Sequence, residues 1–216
     1  MMKNIMIFGD SYSTFAGCIP EGHAVYYTGK RTSADPSPDV PSADHTWWGL
    51  LVKETGVNLV RNDSWSGSTI CYTGWGGKDT SKTSSFIYRL ETLAAEGFFE
   101  KNEIDTVFVF GGTNDSWSDA PLGEEMTEGW KREDLFNVLP AVHYFFKKLR
   151  DTLPNAKIYG IGNCGIKAEV VNAIQNACER IGAKAIVLTD AVDKQSGHPT
   201  VQGMIDIKEQ VLAALD

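Results

Sequence analysis

Positive charge is scarce in this chain: 20 lysines and arginines face 28 acidic residues, for a formal charge of −8. No basic stripe is left to neutralise a phosphate backbone, which argues against nucleic acid or an anionic membrane surface as a partner. Long apolar runs are missing too. No stretch approaches the roughly 18 residues of a membrane span, and Met-Met-Lys-Asn passes directly into a strand-like segment without a cleavage site. A cytoplasmic protein is the default expectation, although a secreted one trimmed of a signal peptide would read the same. Cysteine is sparse. Cys18, Cys71, Cys164 and Cys178 show neither CxxC spacing nor a small-protein disulfide framework, so they read as free thiols, with Cys164 and Cys178 in the core. The four histidines, His23, His45, His143 and His198, are scattered without ligand spacing, and no metal is expected.

What is present is an ordinary globular composition, 42% hydrophobic and 22% charged over 216 residues, the size of one full-cored domain spanning 1–216. Five short β-like runs recur at Ile5 to Phe8, Val57 to Val60, Thr106 to Phe110, Lys157 to Ile161 and Lys184 to Leu188. Between and after them lie helix-like segments at about Thr46 to Glu54, Ser84 to Gly97, Asp134 to Leu153, Ile166 to Gly182 and Pro199 to Leu215, with apolar residues three and four apart. Nearly all-apolar strands alternating with helices predict an α/β fold with a parallel sheet covered on both faces.

Ligands bind such sheets outside the carboxyl ends of the strands, so the loops there are where chemistry is sought. The first, from about residue 12 to 45, is long and proline-rich and holds the pair Tyr26-Tyr27; a stretch of that length is usually functional. Strand one ends in Gly9-Asp10-Ser11, where a serine after a turn glycine can be exposed as a nucleophile. Taken alone, the same residues suit the cap of a following helix. Strand two leads to Asn62-Asp63-Ser64-Trp65-Ser66-Gly67 and strand three to Phe110-Gly111-Gly112-Thr113-Asn114-Asp115. A glycine N–H and an asparagine amide are suitable donors for an oxyanion, though each alone is ordinary loop chemistry. The last strand is followed by Asp193-Lys194-Gln195-Ser196-Gly197-His198-Pro199-Thr200. Pro199 suits the first turn of a helix, which would put His198 at or beside the N-cap, its pKa lowered by the helix dipole and its ring neutral as a general base.

Gly-Asp-Ser after strand one, Gly67 after strand two, Gly-x-Asn-Asp after strand three and a late His-Pro before the final helix together resemble the SGNH hydrolases, also called the GDSL lipase/esterase family. The resemblance runs from Phe8 to about Gly203 and is most specific at "FGGTND". It implies a three-layer sandwich around a flavodoxin-like sheet of order 2-1-3-4-5 and a serine esterase without a cofactor. It further implies Ser11 as nucleophile, His198 as base, and an oxyanion hole from the N–H groups of Ser11 and Gly67 and the Asn114 side chain. One position departs from the pattern. The family usually carries its triad Asp three residues before the His, and here that residue is Gln195. Asp193 is the nearest acid, with Asp190 more distant. The alternative is a Ser-His dyad in which a backbone carbonyl or the Gln195 amide oxygen orients the ring.

Two other readings compete. Gly160-x-Gly162-x-x-Gly165 followed by Asp190 has the form of a dinucleotide fingerprint, but it lies in the last βαβ unit and fits a tight turn with close helix packing better. A non-catalytic carbohydrate-binding protein would use the rim tryptophans Trp65, Trp75 and Trp117 without needing Ser11, Asn114 and His198. In the enzyme reading, Asp10, Trp65 and Trp117 are expected at the substrate pocket, and the substrate is a small-molecule or carbohydrate ester. The stretch Gly74 to Asp79 lacks a phosphate-loop ending and reads as a flexible rim loop.

Overall fold

The computed structural model describes residues 2–31 and 37–215. Five strands, β1 (Asn4–Gly9), β2 (Asn58–Ser64), β3 (Thr106–Phe110), β4 (Lys157–Gly162) and β5 (Lys184–Val187), form one parallel sheet in the order β2-β1-β3-β4-β5. The period-2 geometry of a strand sends alternate residues to opposite faces. Met6 and Phe8 of β1 and Val107 and Val109 of β3 enter one core, while Ile5, Ile7, Phe108 and Phe110 enter the other. Helices α2 (Phe86–Ala95), α5 (Val138–Thr152) and α6 (Ala168–Arg180) close the first face, and α1 (Trp47–Thr55) and α7 (Val201–Ala214) the second. The short α3 (Phe98–Lys101) and α4 (Thr113–Trp117) follow α2 and β3. This is the expected three-layer α/β sandwich. No helix among the described residues is long and apolar enough to cross a membrane.

Three local departures bear on function. β2 continues through Asn62, Asp63 and Ser64, all buried, where the polar sequence had suggested a strand ending at Val60. These side chains are satisfied internally: Asn62 Nδ2 donates to the Ser13 carbonyl at 2.8 Å, and Asp63 pairs with Arg89 of α2 at 2.8 Å. The stretch before α7 is a small antiparallel hairpin, β6 (Lys194–Gln195) and β7 (His198–Pro199). Ser196 and Gly197 at its tip both have positive φ, 51° and 79°, the signature of a two-residue hairpin turn. Pro199 therefore lies in β7, and Thr200 is the N-cap of α7, its hydroxyl accepting the Gly203 N–H at 3.2 Å. Gly160 and Gly162 lie inside β4, Gly160 closed on Cys178 and Phe146, and Gly165 takes a φ of 72° in the turn that leads to α6, so the glycines serve close helix packing and a tight turn. Cys178 is buried as expected, whereas Cys164 is half-buried. Of the loop expected over residues 12–45, residues 32–36 lie outside the described residues.

Candidate active site

The carboxyl ends of β1, β2 and β3 and the β6–β7 hairpin converge on one rim. Gly9, the last residue of β1, is packed so closely that an added Cβ would lie 2.4 Å from Ser64 Oγ and 2.6 Å from Ser13 Cβ. No larger residue fits, and the chain turns there into a single 3-10 turn, Ser11–Ser13. Asp10 caps that turn, its Oδ1 accepting the Tyr12 N–H at 3.0 Å. The turn presents Ser11, whose Oγ lies 2.9 Å from His198 Nε2 across 187 residues of chain.

Three aromatic rings enclose His198. Tyr26 stacks on it with centroids 3.7 Å apart and planes 8° from parallel, Tyr12 lies 5.4 Å away, and Trp117 stands edge-on at 6.0 Å. The hairpin is tied down by hydroxyls: Tyr12 Oη donates to the Gly197 carbonyl, and Tyr27 Oη to the Pro199 carbonyl at 2.9 Å. Lys194 Nζ fastens its other strand to Asn163 Oδ1 at 3.0 Å and the Cys164 carbonyl at 3.2 Å. Burial lowers the His198 pKa to about 4; the Ser196 carbonyl opposes this, and the positive charges of Arg31 and Lys194 add to it. The ring is thus neutral at pH 7. Burial, more than the expected helix dipole, is the reason, since the ring sits two residues before the N-cap of α7.

Asp193 is not placed where the triad expectation put it. Its carboxylate accepts from Thr200 Oγ1, and its N–H donates to Asp206 Oδ2 at 2.9 Å, so the side chain serves the start of α7. No carboxylate among the described residues lies within 4.0 Å of the His198 ring nitrogens. Nδ1 faces the Ser196 carbonyl at 3.5 Å, a long contact created by the positive-φ turn. The physical cause is register. A two-residue turn pairs Gln195 with His198 and directs Asp193 back toward Thr200.

Asn114, on α4, is 3% exposed. Its Nδ2 donates to the Ser68 carbonyl at 3.0 Å, and its Oδ1 accepts from Trp75 Nε1 at 3.1 Å. Gly67 lies close to the Trp75 indole, and the N–H groups of Ser11 and Gly67 donate to no acceptor among the described residues. The next residue, Asp115, accepts the N–H groups of Ile70 and Cys71 at 2.9 and 3.0 Å, which fastens the loop after β2 to the helix that carries Asn114.

The three residues expected at the pocket separate. Asp10 is fully buried beneath the rim, and burial, opposed by the Tyr12 N–H, raises its pKa to about 7. Trp117 is at the rim, beside His198 and Gly197. Trp65 turns away to pack against His23, with centroids 4.3 Å apart and planes tilted by 36°, and lines a cavity of about 420 Å³ with Arg61, Tyr88 and Glu21. Sequence reasoning did not assign Tyr12, Tyr26, Tyr27, Lys194 or Asp115. The Tyr26-Tyr27 pair in a long proline-rich loop was the available signal.

The profile of the GDSL-like lipase/acylhydrolase family matches residues 3–215. The chain belongs to this family. Structures described as GDSL-like lipases of Bacteroides ovatus and Bacteroides uniformis are each 39% identical to it with a TM-score of 0.88; each match covers 99% of this chain and 97% or 95% of the other. A family two carbohydrate esterase from Cellvibrio japonicus shares the fold at 18% identity and a TM-score of 0.63, over 98% of this chain and 59% of its own. No curated protein matches. Membership makes the chain an esterase-type hydrolase, and the GDSL features in the sequence carry that assignment alongside the α/β sandwich.

Proposed function

We propose that this GDSL-family protein is a serine esterase that cleaves small acyl esters through an acyl-enzyme, with acetylated carbohydrates as its substrate class. The observation that carries the reading is the 2.9 Å contact between Ser11 Oγ and the neutral ring of His198. A neutral Nε2 accepts the Ser11 proton as Oγ attacks the ester carbonyl, and the imidazolium returns it to the leaving alcohol. Water then repeats the sequence on the acyl-enzyme. The N–H groups of Ser11 and Gly67 and the Asn114 amide act as donors to the oxyanion, a role supported by the lack of an acceptor for either backbone N–H among the described residues.

The same geometry supports a Ser-His dyad. The Ser196 carbonyl selects the tautomer with the proton on Nδ1, and the aromatic cage fixes the ring plane, so orientation is supplied without a carboxylate. A compact rim bearing Trp75 and Trp117 favours a short acyl group and a ring-shaped alcohol. The test is hydrolysis of p-nitrophenyl acetate by wild type and Ser11→Ala, followed by a series from acetate to laurate and by acetylated sugars. Turnover that survives Ser11→Ala sinks the mechanism, and a preference for laurate sinks the substrate class.

A further inference from the structure

We infer that Trp75 is a positioning residue of the oxyanion hole and that its outer face is the platform for the alcohol ring of the substrate. This rests on the esterase reading above. Trp75 is 51% exposed, an unusual cost for the largest apolar side chain, yet its Nε1–H reaches inward to the buried Asn114 Oδ1 at 3.1 Å. Its pyrrole edge also meets Gly67: a Cβ there would lie 3.9 Å from both Cδ1 and Nε1. One indole thus bonds the residue of one proposed oxyanion donor and lies close beside that of a second.

The hydrogen-bond chemistry is specific. A terminal amide has two orientations that differ by exchanging oxygen and nitrogen. With Nδ2 on the Ser68 carbonyl and Oδ1 on the Trp75 N–H, both contacts are satisfied; the flipped amide would set acceptor against acceptor and donor against donor. Ser68 uses one amide hydrogen and leaves the second for the oxyanion. Donation into Oδ1 also polarises the amide and strengthens that second N–H as a donor.

The arm that carries Trp75 is built to hold it. Contrary to the flexible loop expected from its glycines, residues 73–80 form a closed turn. Thr73 bridges Asp79, the Gly74 N–H donates to the Lys78 carbonyl at 2.8 Å, and the Thr80 N–H donates to the Tyr72 carbonyl at 2.8 Å. At its base, Thr73 Oγ1 donates to the Phe136 carbonyl at 2.7 Å, and Asp115 anchors Cys71. An indole held on such an arm offers a rigid apolar face to solvent beside the donors, where the face of a pyranose or an aryl ring can lie.

The experiment separates the two roles by substitution. Trp75→Phe keeps a ring and removes the N–H, and lowers kcat for p-nitrophenyl acetate on the order of tenfold, less than the loss of a direct donor, with KM within about twofold. In an Asn114→Ala background the same change has no further effect on kcat, because the group through which it acts is gone. Trp75→Leu removes the face as well, and raises KM about three- to tenfold for p-nitrophenyl acetate and acetylated pyranosides but not for methyl acetate. A Trp75→Phe kcat within about twofold of wild type, an equal loss in both backgrounds, or a KM change that methyl acetate shares overturns the inference while the esterase reading stands. Turnover independent of Ser11 overturns both.

Discussion

Tyr26 lies flat on His198, ring centroids 3.7 Å apart and planes within 8°. The stack shields one face of an imidazole already covered by Tyr12 and Trp117, and burial is the leading cause of its low pKa. The folded value of about 4 lies below the ordinary 6.5, so the unfolded chain binds the extra proton between them. This contribution to stability is present in full above pH 6.5 and is lost as pH falls toward 4. The acid limb of kcat/KM is accordingly expected near pH 4 to 5, below that of an ordinary histidine. Tyr26→Ala opens the ring to water and moves that limb up toward 6.5. A pH-rate profile of both proteins checks this, and an unshifted limb counts against the cage.

Asp193 gives a second prediction. In a serine protease, replacing the triad carboxylate by its amide costs about 10⁴ in kcat. Because the Asp193 carboxylate is bound to Thr200 Oγ1, Asp193→Asn is expected to lower kcat by less than about tenfold and to act mainly on the melting temperature through the start of α7. A loss of three decades in steady-state kinetics would restore the triad.

Asn114→Ala removes the side-chain donor proposed for the oxyanion. The expected loss in kcat is about 10² to 10³, with KM little changed, since the interaction forms only as charge develops on the oxygen. A fall below about tenfold would exclude Asn114 from that role.

The pair Asp63–Arg89 offers a test of stability rather than of chemistry. Both side chains are nearly inaccessible, and the arginine also donates to the Gly9 carbonyl at 3.2 Å, two residues before Ser11. Burial alone would raise the Asp63 pKa, but Arg89 and Arg61 outweigh it and hold the carboxyl below the usual range. Asp63→Ala leaves a buried charge without its partner and is expected to cost about 3 to 5 kcal/mol in denaturant unfolding. Wild-type stability from this pair is lost only as pH falls below the ordinary carboxylate value of 3.8, through the lower folded one.

The alternation of apolar strands with amphipathic helices determined the α/β class by itself, because burial on both sheet faces leaves no other pattern for residues such as Thr106 to Phe110. The family motifs pointed to Ser11, Gly67, Asn114 and His198 as candidates, since each lies in a short stretch whose pattern is local in sequence. Long-range contacts were decided only by the tertiary structure. Whether Asp193 faces His198 or Thr200 depends on a two-residue turn whose register is fixed from outside by Tyr12 and Tyr27, more than 170 residues away. The same holds for Trp75. Sequence shows a tryptophan among glycines, and only folding the loop after β2 onto α4 brings its N–H to Asn114.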